Sequence, residues 1–575
     1  MQEKGENMEK IIYGSKMKKV DSYAIENIGI PSMVLMERAA FSAFSHINRY
    51  ADLPKKCVSL CGVGNNGGDG LALARMSHLD GDDVHVFVIG DEAKATEQWK
   101  QQKRMAINCG VTIDYIEVKG VTEEATDAYS NVRGALELLD KAIDDCHYVV
   151  DAIFGIGLSR EVQGIYAEVI NMVNEKKKKR KLERFLFLYS LDVPSGLCAD
   201  TGRVMGTAIK ADTTYTFGAV KTGLLLCDGR DYSGKIHICD IGFPKKIYAE
   251  ALEKQDICMS LNHDDICEAF YRRRHSNKGT YGKVLVIGGS ENVYGAAYFA
   301  AMSAYRSGCG LVRLITHKNN RDLIYEKMPE AIINVYDSGE EEENIAAMVN
   351  EAVDWADTIV IGPGLSKGRE AQLLMQHTMS LAKEQSKYII IDADGLNIIS
   401  DRPELKQYYH EKTIVTPHVG EAARLMKKSV KEIAENIIDN AAEYAHENNI
   451  NVMLKDSTTV ILGIESSDDK CNNRVCVNKK GNSGMATGGC GDVLTGIVAA
   501  VLAGSIDIEE IELYRKLCEA GISEKEKERE LTFLGMAIAG YVHGDAGDSA
   551  ADRFGEPSLM ASDILDKLSG IFNVL

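Results

Sequence analysis

The chain has 575 residues, 45% of them hydrophobic and 26% charged, the balance of an ordinary globular protein but too long for one core. A formal charge of −19 argues against nucleic acid or an anionic membrane as the principal partner, and no run of about 18 uncharged apolar residues offers a membrane span. The opening "MQEKGENMEKIIYG" lacks a signal peptide's apolar core and the 14 cysteines form no C-x-x-C pair, so a cytoplasmic protein with reduced thiols is expected.

Residues 9–245 read as alternating helices and short apolar strands. Helices are expected over Lys16–Asn27 and Ser32–Tyr50, and strands over 57–61, 84–89, 148–153 and 185–193. This alternation implies a parallel sheet covered by helices, a Rossmann-like three-layer α/β/α domain with ligands outside the carboxyl ends of its strands. After the first of those strands comes "CGVGNNGGDGLALAR" (61–75), with G-x-G-x-x-G at Gly62, Gly64 and Gly67. The same loop carries Asn65, Asn66 and Asp69. A turn that only cradles a pyrophosphate uses backbone N–H groups, and an aspartate beside a diphosphate repels it. Either this is a dinucleotide turn with unusual decoration, or the loop coordinates something else. Asp151 and Asp192 fall at the ends of two further strands. The basic run "KKKKRK" (176–181) reads as a solvated helix end or loop.

The pattern breaks near 246–262, and residues 260–572 read as a second α/β domain with no sequence repeat of the first. Its strand-like runs are "KVLVIG", "GLVRLIT", "TIVIGPG", "YIIIDADG", "TIVTPH", "VMLKD" and "TTVILG". A charged stretch, "SEKEKEREL" (523–531), is expected to be an exposed helix start or loop. In "GNSGMATGGCGDVLTGIVAAVLAG" (481–504), Gly484, Gly488, Gly489 and Gly491 precede Asp492 and an apolar helix from Val493. A glycine-rich loop opening a helix favours an anion through free N–H groups and the helix dipole. An aspartate beside it can take a proton from a hydroxyl attacking a phosphoryl group, or can simply cap the helix.

The second half resembles a known family. "KGTYGKVLVIGGSENVYGAAYFAAMSAYRSGCGLVRL", "IGPGLSKG", "IIDADGLNII", "IVTPHVGEAARL", "LKDSTTVI" and "NSGMATGGCGDVLTG" stand in the order of the ADP-dependent NAD(P)H-hydrate dehydratase family. The resemblance covers residues 279 to about 500 and implies a ribokinase-like fold; "AGYVHGDAGDSAA" (539–551) is similar to that family's closing helix. "GVGNNGGDGLALAR", "VDAIFGIGLSREVQGIYAEVI" and "SLDVPSGLCADTG" resemble the NAD(P)H-hydrate epimerase family. Together they resemble the bifunctional NAD(P)H-hydrate repair family over nearly the whole chain.

The resemblance implies a set of roles. Asn65, Asn66, Gly67, Gly68 and Asp69 would contact the damaged dinucleotide, and Tyr166 would touch substrate. Gly155, Ile156, Gly157, Leu158, Ser159, Arg160 and Glu161 would form a second phosphate-side loop. A potassium ion is implied at Asn66, Asp151 and Ser195, whose oxygens suit a hard cation. Asp192 would face the hydrated nicotinamide and exchange protons as C6 inverts, unless it only caps the "PSG" turn. In the second half, Ala296 or Ala297 would line the hydrate pocket with Gly364 and His418, the histidine having a turn role after Pro417 as its alternative. Lys455, Asp456, Ser457, Thr458 and Thr459 would contact nucleotide, Gly491 its phosphates, and Asp492 would be the base toward the C6 hydroxyl. Ser483 stands where family members usually carry proline. The implied small molecules are NADHX, NADPHX, ADP and magnesium, the last without nameable ligands; a homo-oligomer is expected, and neither nucleic acid nor membrane. Three rivals remain at this point: a ribokinase-like small-molecule kinase, an assembly scaffold like the RNA-decapping protein that shares the first fold, and an NAD-dependent dehydrogenase.

Overall fold

The computed structural model describes residues 9–47, 55–116, 126–180, 186–464, 474–518 and 522–572. Two compact units divide the chain, one of Lys10–Ile257 and one of Cys258–Leu575 together with the first nine residues.

The strands of the first unit are β1 (Glu9–Ile12), β2 (Lys56–Cys61), β3 (Asp83–Ile89), β4 (Thr112–Ile116), β5 (Tyr148–Ala152), β6 (Phe187–Leu191), β7 (Thr213–Phe217), β8 (Val220–Lys221) and β9 (Lys235–Cys239). Seven of them form one parallel sheet in the order β4-β3-β2-β5-β6-β7-β9. Side chains alternate between two cores, as a sheet covered on both faces demands. Cys57, Cys61, Val86 and Val150 join one core, while Val58, Leu60, Phe87 and Val149 join the other. The four strands expected from their apolar runs are present. Strands β4, β7 and β9 escape that reading because "TIDYI", "TTYTF" and "KIHIC" mix polar with apolar residues. The second helix spans Ser32–Ile47; residues 48–50 and 185 of the expected elements lie outside the described residues. The basic run ends the Gly164–Arg180 helix, the helix end anticipated, but of its described residues only Lys178 and Lys179 are exposed: Lys176 pairs with Asp140 and Asp144, Lys177 with Asp212, and Arg180 is buried on the Ile143 and Cys146 carbonyls. Its last residue, Lys181, is outside the described residues.

The second unit contains β10 (Ile257–Ser260), β11 (Lys283–Ile287), β12 (Leu311–His317), β13 (Ile332–Tyr336), β14 (Thr358–Ile361), β15 (Tyr388–Ile391), β16 (Thr413–Val415), β17 (Asn451–Leu454), β18 (Thr459–Gly463) and β19 (Arg474–Asn478). Their order is β13-β12-β11-β14-β15-β16-β17-β18-β19-β10, parallel from β13 to β17, with β18 antiparallel to both neighbours. The helix Cys490–Leu502 is buried almost all round. Its Gly496 lets it approach the Gly295–Arg306 helix, since a Cβ there would sit 2.0 Å from the Ala300 carbonyl oxygen. "SEKEKEREL" starts the long Glu524–Phe554 helix, capped by Ser523. "AGYVHGDAGDSAA" lies inside that helix and does not close the chain, because Ala561–Ile571 follows it. Among the described residues no helix is long and apolar enough to cross a membrane.

Candidate active sites

In the first unit the strand order reverses between β2 and β5, the place where an open parallel sheet leaves a crevice. A cavity of ≈ 700 Å³ opens there, walled by the loops after β2, β5 and β6 and by the Gly14–Glu26 and Ser32–Ile47 helices. Gly64 caps the Asn65–Leu79 helix and aims its free N–H groups at the cavity mouth. Asn65, Asn66 and Asp69 line the cavity, as do Gly155, Ile156, Gly157, Leu158, Ser159, Arg160 and Tyr166. Gly67 and Gly68 do not: a Cβ on Gly67 would lie 1.8 Å from the Gly62 carbonyl oxygen, and one on Gly68 would meet Met36. These two glycines are close-packing positions set back from the cavity lining, and Glu161 is exposed outside it.

Asn66 donates from Nδ2 to the carbonyl oxygens of Phe154 (2.9 Å) and Leu191 (3.2 Å), which leaves its Oδ1 buried without a partner. Asp151 is fully buried and accepts from Ser190 Oγ, Ser195 Oγ and the N–H groups of Ser195 and Ile153. Burial pushes its carboxyl upward while the two serines oppose the shift. Ser195 Oγ also accepts from Phe154 N–H at 2.8 Å. The three oxygen-bearing residues expected together are thus joined through the Phe154 segment.

Asp192 ends β6 with φ +65°, a left-handed backbone that an aspartate tolerates better than most side chains. Its Oδ1 accepts from Lys221 Nζ at 2.6 Å. It does not cap the following turn, whose Ser195 N–H goes to Asp151 instead. Two residues that sequence reasoning missed share the cavity: Lys221 and Asp21. A lysine between apolar neighbours in "GAVKTGL" was the available signal. Burial, then Asp192 and Asp21, push Asp69 far above the usual carboxylate range. Burial and Asp192 raise Asp21 to about 6, with Lys221 opposing.

In the second unit the carboxyl ends of the parallel strands bring together Gly364, Asp392, His418 and Lys455. Asp492 is the third residue of the Cys490–Leu502 helix; Gly489, at φ +95°, is the residue that caps it, so a capping role for the aspartate is excluded. Lys455 Nζ donates to Asp392 Oδ1 at 2.8 Å, and a Cβ on Gly491 would lie 3.0 Å from that Nζ. Glycine therefore leaves the helix N-terminus open beside the lysine. Burial opposes the Lys455 charge, but Asp392, Glu421 and Asp492 outweigh it and hold the ammonium above its ordinary pKa. Asp492 is raised to about 7 by burial and by Asp392, against the pull of Lys455.

Gly364, at φ +60°, faces Ala296, 3.1 Å from where its Cβ would be. Ala297 has no exposed surface and packs in the core, which removes it from the pocket wall. His418 caps the Val419–Met426 helix: Nδ1 accepts from Gly420 N–H and its own N–H donates to Glu421, so the turn role is present. Lys455–Thr459 forms the β17–β18 turn, with Asp456 and Ser457 exposed at its tip and Thr458 buried. Ser483, at the proline position, bonds Glu556, and Asp548 accepts from Gly481 N–H and Asn482 Nδ2, so side-chain contacts hold this loop. Asp392, Asp394, Glu421 and His543 were missed, although "DADG" at a strand end announced the first two. His543 Nε2 is buried without a partner, and burial and Lys455 pull that imidazole down to about 4. Among the described residues no three His, Cys, Asp or Glu side chains converge as a metal site.

A NAD(P)H-hydrate dehydratase family model matches residues 284–569, and one described as YjeF-related protein N-terminus matches residues 32–223. A bifunctional NAD(P)H-hydrate repair enzyme of Thermofilum pendens is 30% identical over 565 residues, covering 97% of this chain and 95% of that protein. Proteins of the same description from Moorella thermoacetica and Escherichia coli are 30% and 28% identical, covering 97% and 98% of this chain and 96% and 93% of their own. Among solved structures, a ribokinase-like superfamily protein from Enterococcus faecalis is 27% identical, covering 54% of this chain and 94% of its own with a TM-score of 0.44.

Proposed function

Since the chain belongs to the bifunctional NAD(P)H-hydrate repair enzyme family, we propose that its first unit interconverts the C6 epimers of hydrated NADH and NADPH. The second unit dehydrates the S epimer at the expense of ADP, giving AMP and phosphate. One observation supports the reading: near the carboxyl ends of its parallel strands, each unit sets a carboxylate and a lysine beside a glycine-opened helix N-terminus. These are Asp192 with Lys221, and Asp492 with Lys455.

In the second unit, Asp492 takes the proton of the C6 hydroxyl as that oxygen attacks the terminal phosphorus of ADP and AMP departs. Lys455 and the N–H groups opening the Cys490–Leu502 helix stabilise the charge that develops on the phosphoryl oxygens. Phosphate then leaves C6 as the ring nitrogen supplies its electron pair, and loss of the C5 proton restores the dihydronicotinamide. The turn at Lys455, Asp456, Ser457, Thr458 and Thr459 would hold the nucleotide, with Gly491 at its phosphates; Ala296, Gly364 and His418 would border the hydrate. Magnesium would arrive with the nucleotide, since substrate phosphates hold it in such sites together with waters and one or two carboxylates.

In the first unit, Asp192 exchanges protons at C6, and the Gly155–Arg160 loop with Tyr166 holds the dinucleotide. Potassium fits Asn66, Asp151 and Ser195, because the buried Asn66 Oδ1 lacks a donor and, among the described residues, no lysine or arginine pairs with the buried Asp151 carboxylate. The ion would offset the Asp151 charge near the substrate phosphates. We place the reaction in the cytoplasm, where thiols stay reduced; Cys57, Cys61, Cys146 and Cys239 are buried thiols in the first unit. Exposed Val34 and Phe41 on the Ser32–Ile47 helix offer an apolar face for a homo-oligomer.

The test is absorbance at 340 nm on an epimeric NADHX mixture, with ADP and with ATP. Recovery of NADH beyond the S fraction is expected with ADP. Recovery halting at the S fraction removes the epimerase, and a stable phosphorylated product without NADH favours the kinase rival.

A further inference from the structure

The cavity of the first unit holds more acid than one proton-exchanging carboxylate requires. Asp21, Asp69 and Asp192 all line it, with Lys221 as the buried ammonium among them. That ammonium is saturated: its three donors go to Asp192 Oδ1 at 2.6 Å, Thr216 Oγ1 at 3.0 Å and Phe217 O at 2.7 Å. Nothing is left for Asp21, whose carboxyl has no hydrogen-bond partner among the described residues. Asp21 also enters from a different direction in the fold. Asp69 and Asp192 follow strands of the sheet, whereas Asp21 lies on the Gly14–Glu26 helix, whose Met17 and Val20 pack with Leu35, Ala219 and Ile247 and whose Met17 and Asp21 line the cavity.

We propose that Asp21 is the second acid–base residue of the epimerisation, giving a proton to the departing C6 hydroxyl while Asp192 receives one from the entering water. The proposal rests on the epimerase reading above and names a residue that reading did not use. In the forward direction the Asp21 carboxyl protonates the C6 oxygen, the C6–O bond breaks, and the ring nitrogen's electron pair expels water. A second water bonds to the opposite face of C6, its proton passes to Asp192, and the electron pair returns to nitrogen. Asp21 ends ionised and Asp192 protonated, and a proton moved between them through cavity water restores the start.

The surroundings raise the protonated fraction of Asp21 near neutrality above that of an ordinary aspartate. Asp192 faces it with like charge, Lys221 with opposite charge but committed donors, Asp69 lies near with its own carboxyl pushed far upward, and Lys18 and Tyr248 flank it from its own helix and from the Ile247–Ala251 helix. Asp21 is shifted to about 6, which suits a group that must both give and take a proton close to pH 7.

The experiment follows R-NADHX in ¹⁸O-water with the full chain and without ADP, so that epimerisation alone proceeds. The parent chain should form S-NADHX carrying one solvent oxygen. Asp21→Asn should lower kcat by about 100-fold or more, with KM changed less than threefold, as loss of a general acid does. Asp21→Glu should recover part of the rate with a displaced basic limb. An Asp21→Asn rate within threefold of the parent, an effect confined to KM, or an S epimer without solvent oxygen overturns the proposal. So does equal loss in Asn and Glu variants accompanied by a changed near-ultraviolet circular dichroism spectrum, which assigns Asp21 to structure. A parent chain that leaves R-NADHX untouched overturns the epimerase reading itself.

Discussion

Lys221 Nζ lies 2.6 Å from Asp192 Oδ1, and only 1% of the lysine side chain is exposed. An ammonium so deep is tolerated because all three of its donors are used. Lys221→Met should leave Asp192 buried without its cation and destabilise the first unit by about 3–5 kcal/mol. Urea unfolding with a probe in each unit should show the first transition moving earlier and the second unchanged. Epimerisation should be lost with it, since the Asp192 carboxylate no longer has its partner.

Asp492→Asn should lower ADP-dependent dehydration by about 10²–10⁴-fold and spare epimerisation. The pH dependence gives the sign. The carboxyl titrates at about 7 and works as a base only when ionised, so kcat/KM for dehydration should climb about tenfold per pH unit below 7 and level off above it. A rate independent of pH between 5 and 8 would remove Asp492 from the role of base.

Lys455 pulls the Asp492 carboxyl downward, against burial and Asp392. Lys455→Met should therefore move the acid limb of the dehydration profile above pH 7, besides weakening the hold on ADP. A limb that stays in place would mean the Lys455 charge is not felt at Asp492.

Much of both sites was legible because their residues sit in contiguous loops at the ends of apolar strands. Asn66, Asp151, Asp192 and Asp492 each follow a run whose hydrophobicity marks a buried strand or precede one that marks a buried helix. Lys221 and Asp21 were not legible, because they act from a two-residue strand and a solvent-edge helix that carry no motif. The cavity they share with Asp192 exists only once the chain has folded. The strands β4, β7 and β9 hid for a related reason: they lie toward the sheet edges, where a polar residue on one face is allowed. Gly67 and Ala297 show the opposite error. A motif position reads as a contact, yet the backbone packing of Gly62 and the core beside Gly288 claim these residues first.

Potassium should be needed in one unit alone. Exchange into tetramethylammonium buffer should slow epimerisation and leave dehydration of purified S-NADHX with ADP unchanged, and returning potassium should restore the rate. Asn66→Ala removes the oxygen that lacks a partner, so its residual epimerisation should no longer respond to the ion.

The three glycines of G-x-G-x-x-G should separate into two kinds. A Cβ on Gly62 would lie 2.0 Å from the Ile153 carbonyl oxygen and one on Gly67 1.8 Å from that of Gly62, both rigid backbone atoms. Gly64 has nothing within 4 Å of its Cβ position and an ordinary extended backbone at φ −90°. Gly67→Ala should accordingly cost at least about 1–3 kcal/mol of stability in the first unit, as overpacking does. Gly64→Ala should stay within about 0.5 kcal/mol, because its site is open. Its added methyl group instead projects where the dinucleotide phosphates approach the helix N-terminus. The expected result is an unchanged unfolding midpoint with a raised KM for NADHX, read from urea denaturation and epimerisation kinetics on the same preparation. Equal destabilisation by both substitutions would mean that Gly64, too, serves the fold rather than the ligand.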